Sequence, residues 1–259
     1  MGRPHIEFIH SWEAPRSVVS DGPFTGLERR VLSEDDETGA CTALVTVPDG
    51  WAGDLGGIAR RSELFCLRGA LEFGASTGES FGDGWYADVP AWALPTPVRS
   101  AGALLLAMIE EPEAPVPPEG RTVIAIDTHE RRLELAGPDV PAGLAIKRLR
   151  VDAQRGDWTW IAAGAPGYLE ERAEIHPTVE EAFVLRGDVL LGGRGEMVAG
   201  DYFWRPPNVR HGPIYCRSGR VIFFRTKGGG LRTTYEAVPG WHETVAAYRA
   251  REPLYQGPT

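Results

Sequence analysis

A seven-residue segment that occurs twice constrains this chain more than any other feature. Glu63-Leu-Phe-Cys-Leu-Arg-Gly69 aligns with Glu181-Ala-Phe-Val-Leu-Arg-Gly187 at an offset of 118. Gly39 and Gly50 pair with Gly156 and Gly167 at 117, while Gly84 and Pro90 pair with Gly200 and Pro206 at 116. So small a drift across half a chain implies two homologous domains. The join falls in Glu110-Glu-Pro-Glu-Ala-Pro-Val-Pro-Pro-Glu-Gly120, a Pro-rich, acidic stretch suited to a semi-rigid linker. The expected division is residues 1–112, a linker at 113–122, and residues 123–259.

Within each half, short runs rich in β-formers are punctuated by Gly or Pro, as in a sandwich or barrel. Residues 27–32, 43–47, 64–67, 103–109, 123–126, 144–151 and 221–225 are the predicted strands, and 241–249 has the composition of a helix packed outside a barrel. The fold class expected is all-β with a short C-terminal helix. A net charge of −9 with no basic run argues against nucleic acid as a partner. Cys41, Cys66 and Cys216 are odd in number and lack metal-binding spacing, so they read as buried thiols of a reducing compartment. No apolar leader opens the chain, and the longest apolar run, 103–109, is far too short for a bilayer. A soluble cytoplasmic protein is expected.

The chemistry concentrates between residues 174 and 211. Glu174 and His176 are two apart and leave the same face of a strand. Glu180 follows a polar corner, Pro177-Thr-Val, and His211 lies just past the Pro206-Pro turn. Two imidazoles with one or two carboxylates suit a divalent metal, Fe, Mn or Zn, with room for water or substrate. Glu174 is either a ligand or the base that moves a proton. The aligned positions of the first half are Gly56, Ile58, Ser62 and Pro95, none able to ligate, so the first domain is expected to be metal-free. Trp158 and Trp160 share a strand face, as do Tyr202 and Trp204; with Asn208 they are candidates for a substrate-pocket wall, although core packing is the commoner fate of such pairs. Lys227-Gly-Gly-Gly230 lacks the Lys-Ser/Thr ending of a phosphate loop.

These spacings resemble the two motifs of the cupin superfamily. Glu174-x-His176-x3-Glu180-x6-Gly187 follows the first, with Glu174 where the family has its leading His, and the gap to Gly187 selects Glu180 over Glu181. Gly200-x5-Pro206-x-Asn208-x2-His211 follows the second, with Tyr215 in place of the closing Asn. Nearly the whole chain looks like a two-domain cupin, and its second half is similar to the cupin domains of zinc-dependent anti-sigma factors. The resemblance implies two tandem jelly-roll β-barrels, one divalent metal in the second, and a homodimer, the last also suggested by exposed strand edges. No helical segment precedes the first repeat, so a transcriptional role is not expected.

Three functions fit. The first is a non-haem metal oxygenase, possessing open positions at a metal held by His176, Glu180 and His211, acting on a small organic molecule. The second is a Mn- or Zn-dependent hydrolase or isomerase in which Glu174 shuttles a proton; its Glu-x-His opening resembles that of the ureidoglycine aminohydrolases, which differ at the positions of Glu180 and His211. The third is a non-catalytic small-molecule or metal binder.

Overall fold

The structure, a computed structural model, describes residues 2–74, 79–117, 120–137 and 140–251. Pro118 and Glu119 of the expected linker lie outside the described residues. Among the described residues the chain is all-β apart from a 3-10 turn and one helix, Trp241–Arg251. It forms two compact units, Met1–Pro4 with Ser11–Arg131, and His5–His10 with Arg132–Thr259.

The first unit is an antiparallel sheet whose path runs Arg16–Val18, Glu28–Glu34, Cys41–Leu55, Thr96–Pro112, Arg60–Phe73, Trp85–Val89, Ile124–Asp127. Its core packs Leu55, Leu64, Cys66, Leu71, Trp85 and Leu105. The main path of the second runs Ile6–His10, Asp201–Arg205, Val179–Leu191, Arg220–Lys227, Trp158–Gly164, Leu144–Val151, Glu134–Leu135. Arg172–Ile175 and Thr234–Ala237 form a separate two-stranded sheet. The helix seats Trp241 and Val245 against Tyr215, with Leu169, Leu190 and Tyr248 around them.

The unit boundaries differ from a division at 112 and 123. Ile124–Asp127 pairs with Trp85–Val89 in the first unit's sheet, and Ile6–His10 pairs with Asp201–Arg205 in the second's. Each unit therefore takes an edge strand from beyond the repeat that supplies the rest of its sheet.

Local geometry repeats with the sequence. Gly69 and Gly187 sit at φ +83° and +85°, and a Cβ on them would stand 1.8 and 1.9 Å from the carbonyl oxygens of Gly102 and Gly219. Only glycine meets both the left-handed backbone and the close approach. Trp92 and Asn208, at φ 60° and 66°, occupy the same turn, and their N–H groups donate to Ile58 O and His176 O, each at 2.7 Å. A buried glutamate takes a tyrosine hydroxyl in each unit, Glu63 from Tyr86 at 2.5 Å and Glu181 from Tyr202 at 2.8 Å. Cys41, Cys66 and Cys216 are free, buried thiols. Among the described residues no helix is long and apolar enough to cross a membrane.

Replacing Gly187 by Ala is expected to cost at least about 2 kcal/mol, and Gly69→Ala a similar amount, because a new Cβ must displace backbone and occupy an unfavourable φ. Denaturant unfolding of the two variants checks this.

Candidate metal centre

Four side chains converge in the second unit. Arg172–Ile175 carries Glu174, and Val179–Leu191 carries Glu180. His211 is brought opposite Glu174 by an isolated backbone bridge, Glu174 N–H to His211 O at 2.8 Å and His211 N–H to Glu174 O at 3.0 Å. Asn208 N–H closes onto His176 O, so the Pro206–His211 turn is held against the 174–176 segment by three backbone hydrogen bonds. Asn208 stands where the family motif has Gly; Asn tolerates that left-handed conformation and is exposed. It shapes the turn rather than the pocket.

Both imidazoles are oriented through Nδ1, His176 on Arg232 O at 3.1 Å and His211 on Val209 O at 3.2 Å. A proton on Nδ1 donated to a carbonyl leaves Nε2 with its lone pair free. The Nε2 atoms face the carboxylates: Glu174 Oε2 lies 3.6 Å from His176 and 3.7 Å from His211, and Glu180 lies 3.8 and 3.4 Å from the same two atoms. Donors about 2.1 Å from one ion sit roughly 3.0–4.2 Å apart, which covers both spacings of Glu174 Oε2, whereas Glu180 meets His176 through Oε1 and His211 through Oε2. His176 Nε2 is buried with no hydrogen-bond partner, an orphan that a metal would satisfy. One donor atom each from Glu174, His176 and His211 lies within 4.8 Å of the others. The residues fit a divalent ion, with Glu180 adjoining both imidazoles.

The charges are strongly coupled. Burial opposes ionisation of Glu174, yet His176 and His211 outweigh it and hold the carboxyl below the ordinary range. Burial also works against charge on His176, but Glu180 and Glu174 raise its pKa to about 9. Glu180 is lowered despite its burial, by His211, His176 and then Arg205. Arg205 NH1 donates to Glu180 Oε2 at 3.2 Å.

The aromatic candidates separate. Glu180 pairs with Arg205 and Glu181 with Trp204 across the ladder, so Phe203 and Arg205 turn toward the site cavity while Tyr202 and Trp204 occupy the opposite face of the strand. The placement of Tyr202 and Trp204 in a pocket wall is corrected accordingly. Tyr202 binds Glu181 as Tyr86 binds Glu63 in the unit without ligands, a contact of the fold rather than of the site. Trp158 and Trp160 line a cleft of about 760 Å³ with Arg148, Arg172, Thr233 and Tyr235. Thr233 reaches His176 Nδ1 at 3.3 Å, but the four converging residues are not part of that cleft's wall. Tyr215 takes Arg249 and packs on the helix.

Arg205 and Arg220, which border the site cavity, were not among the residues singled out by motif. The signal for them lay in the repeat: the register pairs Glu180 with Arg205 and Gly187 with Arg220, and in the first unit Ser62 with Val89 and Gly69 with Ala103. In that unit Arg61 forks onto Asp88, and Arg60 spans Glu110 O and Thr38 O, so both are engaged.

Tandem β-barrels, one of them with a His/Glu cluster, give this chain the fold of the two-domain cupins. Residues 124–229 match the family model described as the ChrR cupin-like domain. No curated protein matches the chain in sequence. Among solved structures, it is similar to a candidate dioxygenase from Nostoc punctiforme, with a TM-score of 0.77, 20% identity, and 92% of each chain covered. Protein YlbA from E. coli gives 0.61 and 16% identity over 87% of this chain and 92% of that one. A variant of Bacillus subtilis oxalate decarboxylase gives 0.59 and 12% identity over 99% of this chain and 86% of that one. At such identities the likeness is one of fold.

Two outcomes are expected. His176 binds a proton more tightly folded than unfolded, so its contribution to metal-free stability is complete below pH 6.5 and is lost as pH rises through about 9. A metal must displace that proton, so apparent affinity rises with pH across this window, by up to about tenfold per unit. Chelator competition at stepped pH reads it. Tyr202→Phe lowers stability by about 1–3 kcal/mol, with metal content unchanged, by stripping a hydrogen bond from buried Glu181; unfolding and elemental analysis test both halves.

Proposed function

We propose that the chain is a metal-dependent cupin enzyme, a non-haem oxygenase acting on a small organic molecule. The observation that carries this reading is the pair of imidazoles fixed through Nδ1, with Nε2 atoms facing Glu174 and Glu180. An iron or similar ion held by His176, His211, Glu180 and Glu174 would supply the redox chemistry of oxygenation. The likeness to the candidate dioxygenase over nearly the full length of both chains supports the choice of class. In this reading the protein's own groups do the positioning. Arg232 O and Val209 O hold the two rings, and Arg205 holds one oxygen of Glu180. Apolar side chains around the cavity limit water and keep those electrostatic contacts strong.

A second reading, Mn- or Zn-dependent hydrolysis or isomerisation, is favoured by one detail. The Glu174 side chain is 17% exposed against 7% for Glu180, which leaves it better placed to exchange a proton.

The test is elemental analysis of protein purified without chelator, then oxygen uptake after anaerobic Fe(II) reconstitution with small aromatic and diketone compounds. About one iron per chain and substrate-dependent uptake are expected. His176→Ala and His211→Ala should each weaken metal binding at least about a hundredfold while circular dichroism stays that of the parent. Stoichiometric Mn or Zn with turnover that ignores oxygen, and is lost in Glu174→Gln, would replace oxygenation by the second reading. Full metal without any turnover would leave a binding protein.

A further inference from the structure

The cavity shared by Glu174, Glu180 and His211 contains a charge that metal ligation leaves unexplained. It has a volume of about 50 Å³, and its wall includes Arg205 and Arg220 among apolar side chains. Arg205 is accounted for: NH1 binds Glu180, NH2 reaches Glu7 at 3.5 Å, and the guanidinium lies 3.6 Å from the Phe203 ring centroid. Arg220 is not. It is 7% exposed, its buried Nε has no hydrogen-bond partner, and no carboxylate lies within ion-pair distance of it among the described residues. Its recorded aromatic contact is with the Tyr168 ring, at 5.1 Å from the centroid, a modest interaction for a buried cation. A charge removed from water without a counter-ion is costly, so such a position calls for an anion.

The repeat supplies an internal control. In matching registers the first unit has Val89 for Arg205 and Ala103 for Arg220, and it also lacks every metal ligand. The fold is complete without the two arginines; they accompany the site. The charges point the same way. Glu7, Glu174 and Glu180 set three negative charges against the two of Arg205 and Arg220, so a divalent ion would leave one positive charge uncompensated.

We propose that this cavity binds a small oxyanion of carboxylate type, with Arg220 as its counter-ion within the protein. The assignment rests on the metal reading of the site, and it narrows the substrate or co-ligand to a compact anion. At roughly 10–15 Å³ per water-sized position, the volume holds an anion of about three or four heavy atoms, the size of formate, acetate or bicarbonate. An organic acid and dissolved bicarbonate present the same planar pair of oxygens to a guanidinium, and the choice between them is experimental.

The experiment titrates sodium formate, acetate, bicarbonate and benzoate separately into the Zn- or Mn-loaded protein by calorimetry, with thermal unfolding of loaded and metal-free protein alongside. One formate or acetate per chain, a raised midpoint, and exclusion of benzoate are expected. Tighter bicarbonate than acetate identifies the dissolved ion as the natural ligand; the reverse identifies an organic acid. Arg220→Met should weaken binding at least tenfold at unchanged metal content, and Arg220→Lys should retain part of it. Equal affinity in Arg220→Met, or no saturable binding by loaded wild type at millimolar anion, overturns the proposal while leaving the metal centre intact. Failure to load any metal overturns the metal reading instead; formate stabilisation of metal-free wild type but not of Arg220→Met would then still support the role of Arg220, and its absence would overturn it. Should Arg220→Met not fold, Arg220→Lys decides: affinity equal to that of a folded Arg220→Gln would reject the charge assignment.

Discussion

The contact between Gly187 and the carbonyl of Gly219 sets the geometry on which the second unit depends. It lies where Val179–Leu191 crosses Arg220–Lys227, beside a register irregularity between Val184 and Arg186. Register decides which side chains face inward, because a slip of one residue exchanges the two faces of a strand. With Gly187 against Arg220, the alternation carries Glu180 to the imidazoles and leaves Glu181 to Tyr202 and Arg225. The first unit makes the same contact between Gly69 and Gly102, although its positions matching the ligands are Gly56, Ile58, Ser62 and Pro95. The constraint therefore belongs to the fold, and the site uses it.

The site then depends on backbone more than on side-chain packing. Three main-chain hydrogen bonds lock the 206–211 turn onto the 174–176 segment, and one carbonyl orients each ring. Such groups move little, which suits a constellation whose chemistry tolerates small positional error only. Glu174, Glu180 and the His176 imidazole are held in charged forms that burial alone would disfavour. Coupling of that kind opposes distortion of the pocket, and it ties metal affinity to pH.

Much of this was legible in the chain because it is local or repeated. The paired glycines, the strand runs and the Glu-x-His spacing are short-range patterns, and the second copy multiplies their weight. The exchange of Ile6–His10 and Ile124–Asp127 between units was not legible, since both strands satisfy edge hydrogen bonds far away in sequence and carry no signature of their partner. Tyr202 and Trp204 were misplaced for a different reason. Period-two alternation says that they share a face but not which one; the parity came only from the pairing of Glu180 with Arg205. Asn208 looked like a pocket residue because it is polar and near His211, whereas its left-handed φ makes it the turn's substitute for glycine.

The two copies together separate what the barrel needs from what the chemistry needs. Retained in both are the glycine approach, the Glu–Tyr hydrogen bond and the left-handed turn residue, at Trp92 in one and Asn208 in the other. Present in one alone are Glu174, His176, Glu180, His211, Arg205 and Arg220. Every member of the second group is charged or ionisable, and the first unit fills those six positions with Gly, Ile, Ser, Pro, Val and Ala. A buried ion pair adds little net stability over apolar residues of similar size, so the stability of the fold alone gives no reason to keep all six together. Five of the six line one cavity, with His176 beside it, which is most simply explained by a ligand that needs both signs of charge, a cation held by the glutamates and imidazoles and an anion held by Arg220.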